Sequence, residues 1–274
     1  MRIAPHLGRK SSAFLLACST VIVVRAQQPD SALDNLLSRI EANTEQYKAS
    51  VPSFLCDEHI VSQELYDGKL KHETTVDALF RVTRSTSQTD TLDESREVTS
   101  IDGKPSTGRK INMPISFSGG FSGALAKFLS ADRRQCFDYQ PDLTYTASPS
   151  TEAFIFTARE AALKEAACTS IQSGTTGKFV IDSATSQVSH IERTVPYPVG
   201  KDRSVLGTAS VDFAPVALSG KIFWLPSIIS ASTTETSRTD AFRFTARYSN
   251  YHRFAASSTI LPTTSDSSSQ PQSR

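Results

Sequence analysis

The chain has 274 residues, 38% of them hydrophobic and 21% charged, with a formal net charge of +1. That length suits one large domain or two small ones. The near-zero charge balance argues against a nucleic-acid partner, which asks for a basic face.

The N-terminus is expected to lie outside the fold. Arg2, Arg9 and Lys10 make a basic start, an apolar run covers 13–24, and Val24-Arg25-Ala26 precedes Gln27. This is the build of a secretory signal peptide, 1–26, cleaved after Ala26. The run is shorter than the roughly 20 residues that cross a bilayer. Leu15-Leu16-Ala17-Cys18 is similar to a lipoprotein box, so lipid attachment at Cys18 is a competing reading. No later segment is long and apolar enough to span a membrane, so a periplasmic or secreted, soluble or peripheral chain is expected. Export places Cys56, Cys136 and Cys168 where disulfides form. Three is odd, so one pair and one leftover thiol are expected. Loop entropy separates the pairings by only about 1 kcal/mol. Cys136–Cys168, which flank a compact strand-turn unit, are the expected pair, and Cys56 reads as a buried small hydrophobe.

From Ser31 the chain reads as a helix over 31–49. Ser31 as N-cap with Asp34 three residues on resembles a capping box. Leu33, Leu36, Leu37, Ile40 and Tyr47 then recur at helical spacing, and Pro52 stops the helix. Strands follow at 54–65, 71–85 and 94–101, with Tyr66-Asp67-Gly68-Lys69 and Asp102-Gly103 as turns. In the second strand Val76, Ala78, Phe80 and Val82 share a face. Cys56-Asp57-Glu58-His59 contains metal-ligand types, but alternation sends Cys56 and Glu58 to one face and Asp57 and His59 to the other. No second cluster completes a site, so no metal and no cofactor are expected.

Residues 108–120 are irregular and rich in Pro, Gly and Ser. A short helix follows, with Phe121, Leu125, Phe128 and Leu129 along one side. Gly119-Gly120-Phe121-Ser122-Gly123 lacks the Gly-x-Ser-x-Gly spacing of a nucleophile elbow. Strands are expected at 135–140 and 153–158, with a helical turn or exposed loop over 159–168. Further strands are read at 177–182, 187–195, 207–218, 221–232 and 242–254. After Leu261 the chain is polar with nothing to bury, which predicts a disordered tail, 262–274. One domain, 27–261, is left between signal peptide and tail.

Nine or ten strands and two helices separated by strands speak against an alternating parallel fold. They predict an α+β architecture: a large antiparallel sheet that curls, with the N-terminal helix and the second short helix on its concave side.

Gly177-Lys-Phe-Val-Ile-Asp182, Thr185 and Val188-Ser-His-Ile-Glu-Arg193 are similar to a strand-turn-strand of the lipoprotein-carrier (LolA/LolB-like) superfamily. Val211-Asp-Phe-Ala-Pro-Val216, Ser219-Gly220-Lys221 and Phe223-Trp224-Leu225-Pro226 resemble its next hairpin, and Tyr248-Ser-Asn-Tyr251-His-Arg-Phe254 its closing strand. The chain also resembles uncharacterised exported proteins of soil bacteria. The superfamily resemblance covers the last third well and the first half by order of elements. It implies an open half-barrel that holds acyl chains between helices and sheet, and it carries over no catalytic residue.

The resulting expectation is an exported, non-enzymatic protein of the cell envelope that binds a lipid or lipoprotein acyl chain. Leu36, Leu37, Ile40, Phe80, Phe121, Phe128, Phe179 and Trp224 are the expected ligand contacts; plain core is the competing and commoner reading of each, because a curved sheet buries apolar residues in any case. The alternative is a structural or protein-interaction module of the envelope with a filled interior. A hydrolase is the least favoured class. His59, His72, His190 and His252 sit in no catalytic motif, and His190-Ile-Glu192 lacks the Pro-Cys-x-x-Cys companion of zinc deaminases.

Overall fold

A computed structural model describes residues 29–84, 92–146, 148–198, 204–235 and 240–253. The expected signal peptide, Cys18 and the expected tail lie outside the described residues. A helix α1 (Pro29–Ser50) leads into β1 (Phe54–Tyr66), β2 (Lys69–Arg84), β3 (Leu92–Ile101) and the two-residue β4 (Lys104–Pro105). The one-turn helix α2 (Ala126–Leu129) and a 3-10 turn (Ala131–Cys136) precede β5 (Phe137–Pro141) and β6 (Thr151–Ala158). Then come β7 (Thr176–Asp182), β8 (Val188–Pro198), β9 (Ser204–Leu218), β10 (Lys221–Glu235) and β11 (Ala241–Arg253).

All eleven strands belong to one open, curved antiparallel sheet in the order β4-β3-β2-β1-β11-β10-β9-β8-β7-β6-β5. It is a half-barrel of the α+β class. The sequence runs outward along one meander, β1 to β4, and returns along a second, β5 to β11. The last strand lies mid-sheet, paired with β1 from Phe54↔Arg253 to Leu65↔Ala241. Three two-residue turns set the hairpin registers: Asp67-Gly68, Asp102-Gly103 and Ser219-Gly220 have positive φ at both positions. That geometry matches the right-handed twist of the flanking strands.

Alternation divides the faces as the sequence implies. Along β1, Cys56, Glu58 and Ile60 are buried while Asp57 and His59 are exposed. Val76, Ala78, Phe80 and Val82 of β2 are all buried. Pro226 lies inside β10, but pairing with β11 begins only at Ile228 and pairing with β9 is bulged there. The missing N–H is therefore harmless. Cys136 and Cys168 are bridged, with Cα atoms 5.5 Å apart, and Cys56 is a buried free thiol.

Two local expectations are corrected. The first helix begins at Pro29, so Ser31 lies within it and is no N-cap; proline is well suited to a first turn, where its missing N–H costs nothing. The second helix shrinks to Ala126–Leu129, and Phe121 lies in the turns before it. The helical turn or loop expected over 159–168 takes the form of two 3-10 turns, Glu160–Ala162 and Ala166–Cys168.

Because β4 and β5 sit at opposite edges, residues 106–136 must travel from one edge to the other. Eleven strands at about 4.8 Å put the edges about 50 Å apart in a flat sheet, and curling brings them closer. The segment makes this passage over the concave face. On the way, Ile115 O accepts from Ser62 Oγ at 2.8 Å on β1, and Phe121 packs on Phe54 and Phe80 with ring centroids 5.6 and 5.2 Å apart. Phe128 reaches Phe156 on β6 at 5.2 Å. α1 lies on the same face. Leu36, Leu37 and Ile40 enter the common core, Tyr47 Oη donates to Phe121 O at 3.0 Å, and Asn43 Nδ2 donates to Ser186 O at 3.0 Å.

Candidate functional site

The passage of 106–136 over the sheet leaves space beneath it. Three adjoining cavities of about 200, 120 and 100 Å3 lie between this segment and β8–β10, the smallest closed on one side by residues 170–175. Their apolar walls include Ile115, Phe117, Ala124 and Phe128 above, with Ile191, Val195 and Val211 below. Arg193 lines all three. On β8 it shares the inward parity of Ile191 and Val195, so alternation alone turns a cation toward the concave side. Its guanidinium carbon stands 5.6 Å from the centroid of the Phe128 ring, a cation–π contact.

Lys127 joins Arg193 along two of the cavities. Partial burial lowers the pKa of its ammonium below the ordinary lysine value, and the positive charges of Arg193 and Arg133 push the same way. Among the described residues no Asp or Glu lines any of the three cavities.

A separate, more polar cleft of about 440 Å3 opens where β10 parts from β11, beneath the C-terminal end of α1. Tyr47, Pro52, Phe223 and Trp224 line it together with Asn43, Gln46, Lys221 and Arg253. Ile222 beside it is 70% exposed.

Elsewhere the inward-facing charges are matched. Arg96 of β3 forms a two-pronged ion pair with Glu58 of β1, donating from Nε to Oε2 and from Nη2 to Oε1, the latter at 2.6 Å. Tyr248 Oη donates to the same Oε1 at 2.8 Å. The Glu58 side chain is 0% exposed. Burial works against the charge on Arg96, but Glu58 outweighs it and the guanidinium pKa is raised. Burial, with the Glu58 charge, also raises the Tyr248 phenol. Glu94 accepts from the backbone N–H groups of Gly119, Phe121 and Ser122 at 2.8, 3.0 and 2.7 Å. It thereby fastens the crossing segment to β3.

Of the eight expected contacts, Phe128 lines the groove and Trp224 lines the cleft. Leu36, Leu37, Ile40, Phe80, Phe121 and Phe179 are buried in the core between sheet, α1 and crossing segment. Sequence reasoning missed Arg193, Lys127, Glu94 and Arg96. For three of them a signal existed: Arg193 sits between Ile191 and Val195, and Glu94 and Arg96 between Leu92 and Val98, at the parity of buried or partly buried apolar neighbours.

Among the described residues two His–Asp pairs occur, His59–Asp77 at 2.7 Å and His190–Asp212 at 2.6 Å. In the first, Ser100 Oγ donates to Asp77 Oδ2 at 2.6 Å, so the hydroxyl sits on the carboxylate and not on the imidazole. That is not the hydrogen-bond order of a catalytic triad. Hydrogen bonds from His59 and Ser100 hold the Asp77 carboxyl below its ordinary pKa. Among the described residues no group of three or more His, Cys, Asp or Glu could hold a metal ion, and no helix is long and apolar enough to cross a membrane.

No protein-family model matches the chain, and no curated protein matches it. Among solved structures the chain is similar to a DUF1329 family protein from Desulfovibrio piger, with 10% identity, a TM-score of 0.39, and coverage of 84% of this chain and 95% of that one. It is also similar to a LolA superfamily protein from Nitrosomonas europaea, with 11% identity, a TM-score of 0.34, and coverage of 81% and 94% respectively.

Proposed function

We propose that the chain is an exported protein that binds an apolar ligand, a lipid or a lipoprotein acyl chain, in the groove under residues 115–128, without covalent chemistry. The observation that carries this reading is the groove itself: an apolar-walled space left between sheet and crossing segment that neither α1 nor α2 fills. The buried disulfide fits an extracytoplasmic chain, in keeping with the signal peptide read at 1–26. In this reading Phe128 touches the ligand, and Trp224 guards the neighbouring cleft. Leu36, Leu37, Ile40, Phe80, Phe121 and Phe179 become contacts only once α1 or the crossing segment lifts from the sheet.

The burial of those six favours a second reading, an envelope interaction module whose concave face is filled by its own elements. Titration with the neutral probe N-phenyl-1-naphthylamine separates the two. Saturable binding that is lost in Ala209→Trp, where the new ring occupies the groove, supports the ligand reading. No probe binding and no lipid in organic extracts of the purified protein would sink it in favour of the filled module.

A further inference from the structure

The charges facing the concave side form two groups with different fates. Glu58 and Arg96 satisfy each other, with Tyr248 completing the cluster, and Glu94 is saturated by three backbone donors. Among the described residues no carboxylate lines the cavities beside Arg193 and Lys127. Each is partly withdrawn from water, and the contact described for Arg193 is with the face of Phe128. Withdrawing a cation from water costs free energy that a counter-charge ordinarily offsets. Two like charges beside one cavity raise that cost, and the lowered pKa of Lys127 reflects it. Arg193 lines all three compartments, the two larger ones mainly apolar and the smallest mixed, so an anion placed there would have apolar room for a chain beside it.

Resting on the apolar-ligand reading, we propose that the groove selects a single-chain amphiphile with a terminal carboxylate, whose head is held by Arg193 and Lys127 and whose chain lies along Phe117, Phe128 and Val211. The guanidinium offers a planar fork that matches a carboxylate, and the lysine supplies a second donor. The largest compartment is about 200 Å3, below the usual range of small-molecule sites. That room suits a slender chain and a compact head over a two-chain lipid with a glycerol-linked phosphate.

The test compares palmitate with methyl palmitate on the full-length exported chain, by displacement of N-phenyl-1-naphthylamine and by calorimetry. Wild-type protein is expected to bind the acid at least about tenfold more tightly than the ester, the equivalent of one charge-assisted hydrogen bond. The preference is expected to shrink as salt is raised. In Arg193→Gln/Lys127→Gln the preference for the acid over the ester should disappear. Equal binding of acid and ester by wild-type protein overturns the carboxylate assignment and leaves the apolar groove standing. Binding of neither overturns both. Preference for a lysophosphatidic acid over palmitate overturns the choice of head group. Because the acid–ester comparison is made on the wild-type chain, poor folding of the double variant would not remove the test.

Discussion

Glu58 is the residue on which the concave face is most exposed to error. Its side chain is fully buried, and an ionised carboxylate in that position depends on the guanidinium of Arg96 and the hydroxyl of Tyr248. Removing one partner of such a pair leaves a buried charge without compensation, which costs about 3–5 kcal/mol. Arg96→Met is therefore expected to lower the unfolding free energy from urea titration by that amount and the thermal midpoint by roughly 10 °C, on the scale of a chain of this size. Glu58→Met/Arg96→Met should recover part of the loss, because a well-packed apolar pair replaces an ion pair at little cost. The remainder is the unpartnered Tyr248 hydroxyl, at about 1–3 kcal/mol. A single variant as stable as wild type would mean that the ion pair does not hold β3 to β1 in solution.

Among the elements, the stretch between the two edges depends most on a covalent tie. Cys136 ends a 3-10 turn and Cys168 ends another, 32 residues later. Arg133 Nη1 donates to Ala167 O beside them, and Arg134 ties the same turn to Asp34 on α1 at 2.6 Å. Closing a loop of that length stabilises by roughly 3–4 kcal/mol on the chain-entropy model. Cys136→Ala/Cys168→Ala is expected to lower the urea midpoint accordingly and to abolish its response to reductant. A midpoint that still shifts with reductant would point to another bridge. This pair was legible in the sequence because it flanks one compact unit, and the hairpins were legible because Asp-Gly and Ser-Gly pairs suit positive φ. What lay beyond reach has a physical origin. Alternation tells which face a side chain takes but not which strand lies alongside, so the β1–β11 seam left no local mark. Apolar character at Phe80 or Phe179 announces burial without saying whether protein or ligand does the covering. Arg193 was readable from parity, but parity alone does not separate an inward cation from the solvated charge that a strand more often carries.

At the scale of the whole molecule, the two meanders leave both free edges short. β4 has two residues and ends in Pro105, and β5 has five and ends in Pro141. Short, proline-ended edges resist pairing with other chains. The long strands are kept inside, and the seam between β1 and β11 joins residues about 190 positions apart, Glu58 facing Tyr248 among them. Contacts so distant in sequence form late and slowly, yet this one completes the middle of the sheet. A chain ending at residue 240 would lose Phe244, Ala246 and Tyr248 from the core and the hydroxyl partner of Glu58 with them. It would also bare the inner edges of β1 and β10, both long and partly apolar. Loss of an edge strand trims a sheet, whereas loss of this strand divides it. The truncated chain is therefore expected to show no cooperative thermal transition by circular dichroism and to aggregate on refolding. A cooperative melt within a few degrees of the intact protein would mean that the two meanders hold together without their seam.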